Sequence, residues 1–253
     1  MGFQKGVSET SSIKPSIKIC YNRSKKESVM EEYFHYFNRQ VMLWGEERQK
    51  SLQEKKIAII GSGGLGSSLA IGLGASGIGH IDLVDFDEVS VHNIHRQIAF
   101  RVGDEGRLKA EVAAELVESR CPFVKVTPYT VRFDEFAKVP REYDLILDAT
   151  DNLPSRAQID LYAKQIETPW IYGSVEAFNG QVCFIEKSSF DAFKIMDRKP
   201  AGIAAPIVMH IASLQANLAL RYLAGERVKK DLLYYLYFND DGELVTQKFK
   251  MPV

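Results

Sequence analysis

Residues 57–85 read IAIIGSGGLGSSLAIGLGASGIGHIDLVD, in which a short apolar run enters a glycine-rich turn, a small-residue helix follows, and a second apolar run ends in Asp85. The pattern predicts a strand over Ile57–Ile60, a helix over Leu65–Ser76 and a strand over Ile81–Val84, one strand–helix–strand unit. Gly61, Gly63 and Gly66 satisfy G-x-G-x-x-G, and an acidic residue about 20 positions on completes a dinucleotide fingerprint. Gly61 allows the tight turn, Gly63 lets backbone N–H groups approach an anion at a helix terminus, and Gly66 permits close helix–strand packing. No Lys-Ser/Thr pair follows the last glycine, so this is not a Walker A loop. The stretch establishes a nucleotide-binding type of fold and leaves open whether the ligand is NAD.

Outward from it, strand and helix keep alternating. A helix is expected over Gly106–Arg120, strands over Val124–Pro128 and Tyr143–Asp148, a helix over Pro154–Glu167 and a strand over Trp170–Ser174. Gly180–Glu186, Leu232–Tyr237 and Leu244–Phe249 read as antiparallel additions. The fold class is therefore α/β, a Rossmann-like doubly wound, mostly parallel sheet extended by antiparallel C-terminal strands. The apolar helix expected over Ala204–Ala224 carries His210, Gln215, Asn217 and Arg221, too many polar groups for a membrane span. Residues 29–52 suggest short helices broken near Gly45 that turn Tyr33, Phe37, Met42 and Leu43 inward. Residues 1–28, with a basic patch at Arg23, Lys25 and Lys26, read as a flexible arm, and 29–253 as a single domain.

The bulk numbers narrow the class. With 45% apolar and 26% charged residues over 253 positions, the chain has a globular composition and no apolar run near the roughly 20 residues of a membrane span. The N-terminus lacks the apolar core of a signal peptide, so a soluble cytoplasmic protein without membrane attachment is expected. Its 32 basic and 33 acidic residues give a net charge of -1, no global field for nucleic acid. Cys20, Cys121 and Cys183 form no C-x-x-C pair, which argues against a zinc site or a disulfide framework.

The segment Val91-His92-Asn93-Ile94-His95-Arg96-Gln97 strains a dehydrogenase reading, because it puts a cation and two amides beside the glycine turn. Arg96 can clamp phosphate oxygens bidentately, Asn93 can donate to the same group, and Lys109 offers a compact positive charge at the next helix. Three phosphate-directed groups suit a triphosphate better than a pyrophosphate bridge. Asp85 and Asp87 stand where a carboxylate accepts both ribose hydroxyls, Asp85 the better candidate; two carboxylates so close could instead bind a metal, or Asp87 simply cap the following loop. In Asp148-Ala149-Thr150-Asp151-Asn152 a carboxylate at a strand end can hold Mg²⁺ on phosphates, and Asn152 can cap the helix that follows.

Taken together, Asn38-Arg39-Gln40, GSGGLGSS, DFDEVSVHNIHRQ, the Lys109 position and DATDN resemble the ThiF/MoeB family, relatives of ubiquitin-activating enzymes. SVEAFNGQ and the helix beginning GIAAP follow in that family's order. The resemblance implies an ATP-binding adenylation domain in which the C-terminal glycine carboxylate of a small ubiquitin-like sulfur carrier ending in Gly-Gly attacks the α-phosphate of ATP. It also implies that Gly61, Gly63, Gly64 and Gly66 line the nucleotide with Gln97 and Asn152, and that Asp85 binds the ribose. Asn93, Arg96 and Lys109 would hold phosphates and Asp151 would hold Mg²⁺. Arg39 would reach into the neighbouring subunit's site, so a homodimer is implied.

The chain departs from the family by lacking the zinc cysteines and a cysteine in the loop 187–202. No zinc is expected, Cys121 and Cys183 read as core cysteines, and the reaction is expected to stop at the acyl-adenylate, with a separate protein donating sulfur. Phe190, Phe193, Ile195 and Met196 in that loop are apolar enough to cover a bound carrier tail, although a plain surface loop fits equally. The rival classes are an NAD-dependent oxidoreductase, adenylation of a carboxylate on modified tRNA, and a non-catalytic scaffold. The first is separated by nicotinamide binding, the second by a basic surplus the chain lacks, and the third by its needing no phosphate clamp.

Overall fold

The glycine turn sits where an eight-stranded sheet reverses the direction of its winding. The computed structural model describes residues 23–193 and 202–253. Most of the expected arm, Cys20, and the loop residues Ile195 and Met196 lie outside the described residues, as do the side chains of Arg23, Lys25 and Lys26. The chain divides into two units, residues 1–36 and 37–253. The described part of the first is the helix α1 (Arg23–Tyr36), in which the rings of Tyr33 and Phe34 meet edge to face.

The second unit opens with α2 (Asn38–Trp44) and α3 (Glu46–Ser51), separated at Gly45, whose φ of 85° breaks the helix where the sequence suggested. Phe37 is buried, but Met42 and Leu43, expected inside, are 71% and 72% exposed. The reason is that α2 is held by amide hydrogen bonds and not by an apolar stripe. Gln40 donates to the Ser76 carbonyl (2.9 Å) and to Gln49 Oε1 (3.0 Å), and Trp44 Nε1 donates to the same Gln49 oxygen (3.0 Å).

The strands and helices that follow are β1 (Lys56–Ile60), α4 (Gly64–Gly74), β2 (His80–Val84), α5 (Lys109–Arg120), β3 (Lys125–Tyr129), α6 (Phe133–Phe136) and β4 (Leu145–Asp148). Then come α7 (Leu153–Gln165), β5 (Trp170–Glu176), β6 (Asn179–Ile185), α8 (Ala205–Leu223), β7 (Leu232–Phe238) and β8 (Leu244–Lys250). The strand order is β3-β2-β1-β4-β5-β6-β7-β8, parallel from β3 through β5 and antiparallel from β5 through β8. This is the expected doubly wound sheet with its antiparallel extension. The central strands β1 and β4 are apolar apart from Lys56 and Asp148 at their ends because both faces are covered. Ala58, Ile60 and Ile146 pack on one face with Ile159 and Tyr162 of α7 and with Phe133 and Phe136 of α6. The alternating residues Ile57 and Ile59 point to the opposite face. The turn of α6 was not anticipated; Phe133 and Phe136, three apart, both bury.

Two readings of individual side chains are settled by burial. Phe190, offered as cover for a carrier tail, is a core residue whose ring lies against Trp170 (6.4 Å) and Tyr172 (5.9 Å). Phe193 packs half-buried on Tyr172. Cys121 and Cys183 are both fully buried. Burial pushes the Cys183 thiol up to about 12, so it stays protonated and a poor nucleophile at neutral pH. Native protein treated with iodoacetamide is therefore expected to leave Cys121 and Cys183 unmodified, both labelling only after denaturation; labelling of Cys183 in the native state would contradict this packing.

Candidate active site

A cavity of about 480 Å³ opens at the C-terminal ends of β1, β2, β4 and β5, beside the point where the sheet changes winding direction between β1 and β4. That is the place where open α/β sheets bind ligands, and the volume suits a nucleotide-sized molecule.

The cavity's floor is the glycine turn. Gly61 donates its N–H to the Val84 carbonyl (2.8 Å), which ties the turn to β2, and it adopts φ of 98° with the Ala149 carbonyl 2.6 Å from where a Cβ would stand. Any side chain there is excluded. Gly63 and Gly64 line the cavity at the head of α4. Gly66, expected to line it too, does not: a Cβ on it would lie 1.9 Å from the Gly61 carbonyl oxygen, so its role is to let α4 pack onto the turn.

Asp85 ends β2 nearly buried. Its Oδ2 accepts the Ser62 N–H (2.6 Å) and its Oδ1 accepts the Asp87 N–H (2.8 Å), which fixes the carboxylate across the turn and leaves one acceptor site on each oxygen. Burial raises its pKa, with the two N–H donors and Lys109 opposing. Lys109, the first residue of α5, is buried on the cavity wall, and its Nζ donates to Asp87 Oδ2 at 2.9 Å. The lysine's charge is thus balanced by a half-exposed carboxylate that a phosphate can displace.

Arg96 and Gln97 also line the cavity. The Gln97 side chain is 4% exposed, and its Oε1 has no hydrogen-bond partner among the described residues. Asn93 is not on the cavity wall; its Oδ1 accepts from Arg96 NH2 (3.0 Å), so it supports the arginine. On the opposite wall, Asp151 and Asn152 follow β4. Asn152 caps α7, accepting the Ser155 N–H at 2.9 Å, with Pro154 in the first turn. Asp151 is exposed and carries no ion pair among the described residues, its recorded neighbour being the Asn152 amide at 3.5 Å. No group of three or more His, Cys, Asp or Glu side chains that could hold a metal occurs among the described residues. A magnesium ion held mainly by phosphate oxygens and water needs one or two carboxylates, which Asp151 can supply. Arg39 lies exposed on α2 and does not line the cavity.

Sequence reading overlooked Arg156. Its buried guanidinium reaches the cavity from α7, donating through Nε to Asp148 Oδ2 (3.1 Å) and through NH2 to the carbonyls of Thr150 (2.9 Å) and Gly173 (3.2 Å). Burial raises the pKa of Asp148, with Arg156 and the Thr150 N–H and hydroxyl opposing. Of the two acids in DATDN, then, Asp148 is committed to the frame and Asp151 is free for a ligand. Phe86 was overlooked as well; half-exposed, it lines the cavity, and the Arg132 guanidinium lies 5.0 Å over its ring. An aromatic between two acids at a strand end was the available signal.

A family model described as the ThiF family matches residues 37–252. The chain belongs to the ThiF family. Among curated members, it is 30% identical over 232 residues to the sulfur carrier protein adenylyltransferase of Thermus thermophilus, covering 84% of this chain and 85% of that one. It is 32% identical over 203 residues to the molybdopterin-synthase adenylyltransferase of Escherichia coli, covering 75% and 82%. In fold it is similar to the crystal structure of E. coli MccB with ATP, at a TM-score of 0.75 and 19% identity over 92% of this chain and 80% of that one. A second fold match is PaaA, at a TM-score of 0.74 and 21% identity over 87% and 83%.

Proposed function

We propose that this ThiF-family chain adenylates the C-terminal glycine carboxylate of a small ubiquitin-like sulfur carrier protein of the thiamin or molybdopterin type. The carboxylate attacks the α-phosphate of ATP, an acyl-phosphate bond forms, and pyrophosphate leaves. The observation that carries the reading is the convergence, in one cavity, of the helix-terminal glycine turn, two cations (Arg96 and Lys109) and a carboxylate (Asp151) with no ion pair among the described residues. Such an arrangement needs no protein nucleophile, because positioning and charge neutralisation suffice for transfer at phosphorus. The named relatives, adenylyltransferases of sulfur carriers and of molybdopterin synthase, support the substrate class.

In this reading Asp85 accepts the ribose hydroxyls, Gly63 and Gly64 present backbone N–H groups to phosphate, and Arg96 and Lys109 bind the phosphates, Lys109 exchanging Asp87 for them. Gln97 and Asn152 border the nucleotide. Asp151 holds Mg²⁺, which supplies positive charge to the triphosphate. Arg39 acts across a homodimer, a role supported by its exposure on α2 beside the bare apolar side chains of Met42 and Leu43. The burial of Cys121 and Cys183 supports an enzyme that stops at the acyl-adenylate and relies on a separate sulfur donor. No helix among the described residues is long and apolar enough to cross a membrane, in keeping with work in the cytoplasm.

The test is ATP–pyrophosphate exchange with carriers ending in Gly-Gly. Exchange that requires both a carrier and Mg²⁺ is the expected result, with no nicotinamide binding; NAD binding without exchange would overturn the reading.

A further inference from the structure

The turn that carries Arg96 holds the guanidinium by an unusual pair of partners. Arg96 NH1 lies 3.0 Å from His95 Nε2, and Arg96 NH2 lies 3.0 Å from Asn93 Oδ1. A guanidinium has five N–H donors and no acceptor, so the contact with His95 is a hydrogen bond only if Nε2 is bare. The imidazole must then be neutral with its proton on Nδ1. Both partners are therefore uncharged acceptors, and neither of them lines the cavity. Arg96 has no carboxylate partner among the described residues, so its charge is oriented without being neutralised. Its Cγ lies 3.8 Å from where a Cβ on Gly64 would stand, which puts the side chain across the head of α4. With one hydrogen of each terminal nitrogen engaged, the remaining one on each is free for an anion's oxygens.

We infer that His95 is a positioning residue: its ring, accepting at Nε2, together with Asn93 fixes the Arg96 guanidinium for phosphate oxygens in the cavity. What Arg96 binds rests on the adenylation reading; how it is held does not.

The test compares the wild type with His95→Ala and His95→Gln, whose amide oxygen can accept the same bond and takes up no proton. Three readouts are used, all at about pH 8: ATP affinity by calorimetry, carrier-dependent exchange, and the ring ¹⁵N signals of His95. Expected are a roughly threefold to tenfold weaker ATP affinity in His95→Ala with an unchanged melting temperature, and recovery in His95→Gln to within about twofold. The ring spectrum should show Nε2 bare. An unaffected His95→Ala, a His95→Gln as weak as the alanine variant, or a proton on Nε2 in the wild type would each overturn the inference. Loss of exchange in the wild type alongside a bare Nε2 and the predicted affinity series would instead reject the adenylation reading and leave the positioning role standing.

Discussion

Replacing Arg156 with alanine is expected to lower folding stability by about 3–5 kcal/mol, the range for removing one partner of a buried ion pair. The loss would be read as a fall in the urea midpoint at unchanged slope. Asp148 is fully buried at the end of β4, and Arg156 is the cation that meets it. The same guanidinium satisfies the carbonyls of Thr150 and Gly173 on neighbouring strand ends, so its removal leaves three acceptors short of a donor as well as an uncompensated charge. The pH dependence has a definite sign. Burial already raises Asp148, and without Arg156 the folded-state value rises further above its unfolded one. A carboxyl whose folded pKa is raised stabilises the fold when protonated and loses that contribution as pH rises, so the variant's deficit should be larger at about pH 8 than at about pH 5. Arg156→Lys should fall between the two, since an ammonium keeps the charge but cannot span strand carboxylate and both carbonyls. A stability change below about 0.5 kcal/mol would mean the pair is not the frame of this wall.

How far the sequence spoke can be judged on these residues. The patterns that placed β1, β2 and the three antiparallel strands were legible because each is a short run rich in aliphatic, β-branched or aromatic residues bounded by turn residues, and α4 because it opens on the glycine turn. The glycines were legible for the same local reason: Gly61 and Gly66 are demanded by contacts a few residues away or at the adjoining strand end. Asp148 and Asp151 were both visible, but which of them faced inward was not. The choice depends on Arg156, whose approach from α7 toward Gly173 on β5 is a three-dimensional fact with no fixed sequence spacing. Asp87 was likewise visible and its pairing with Lys109, 22 positions on, was not. Met42 and Leu43 misled because apolar residues in a helix are expected to be buried, whereas α2 is anchored through Gln40 and Trp44. His95 lay in plain view beside Arg96, and its meaning emerged only when the donor and acceptor atoms were set against each other.

The other acid of DATDN should behave oppositely to the arginine's partner. Asp151 is exposed, pairs with no cation among the described residues, and offers the Asn152 amide only a marginal 3.5 Å contact. Its replacement by alanine therefore removes no buried interaction, and the urea midpoint is expected to stay within about 0.5 kcal/mol of the wild type. Function should part from stability here. If Asp151 supplies the carboxylate that holds Mg²⁺ against the triphosphate, its loss withdraws stabilisation where charge develops, and carrier-dependent pyrophosphate exchange should fall by at least about 100-fold. Asp151→Asn preserves shape and one oxygen ligand while dropping the charge, so it should retain more exchange than alanine and gain more from added Mg²⁺, because weakened binding is offset by mass action. Exchange that survives Asp151→Ala would remove the metal role from this residue, and a matching collapse of the urea midpoint would move Asp151 into the frame with Asp148. The expected separation, a stable fold with a silent site, is the signature of a wall where Arg156 and Asp148 hold the backbone so that Asp151 need not.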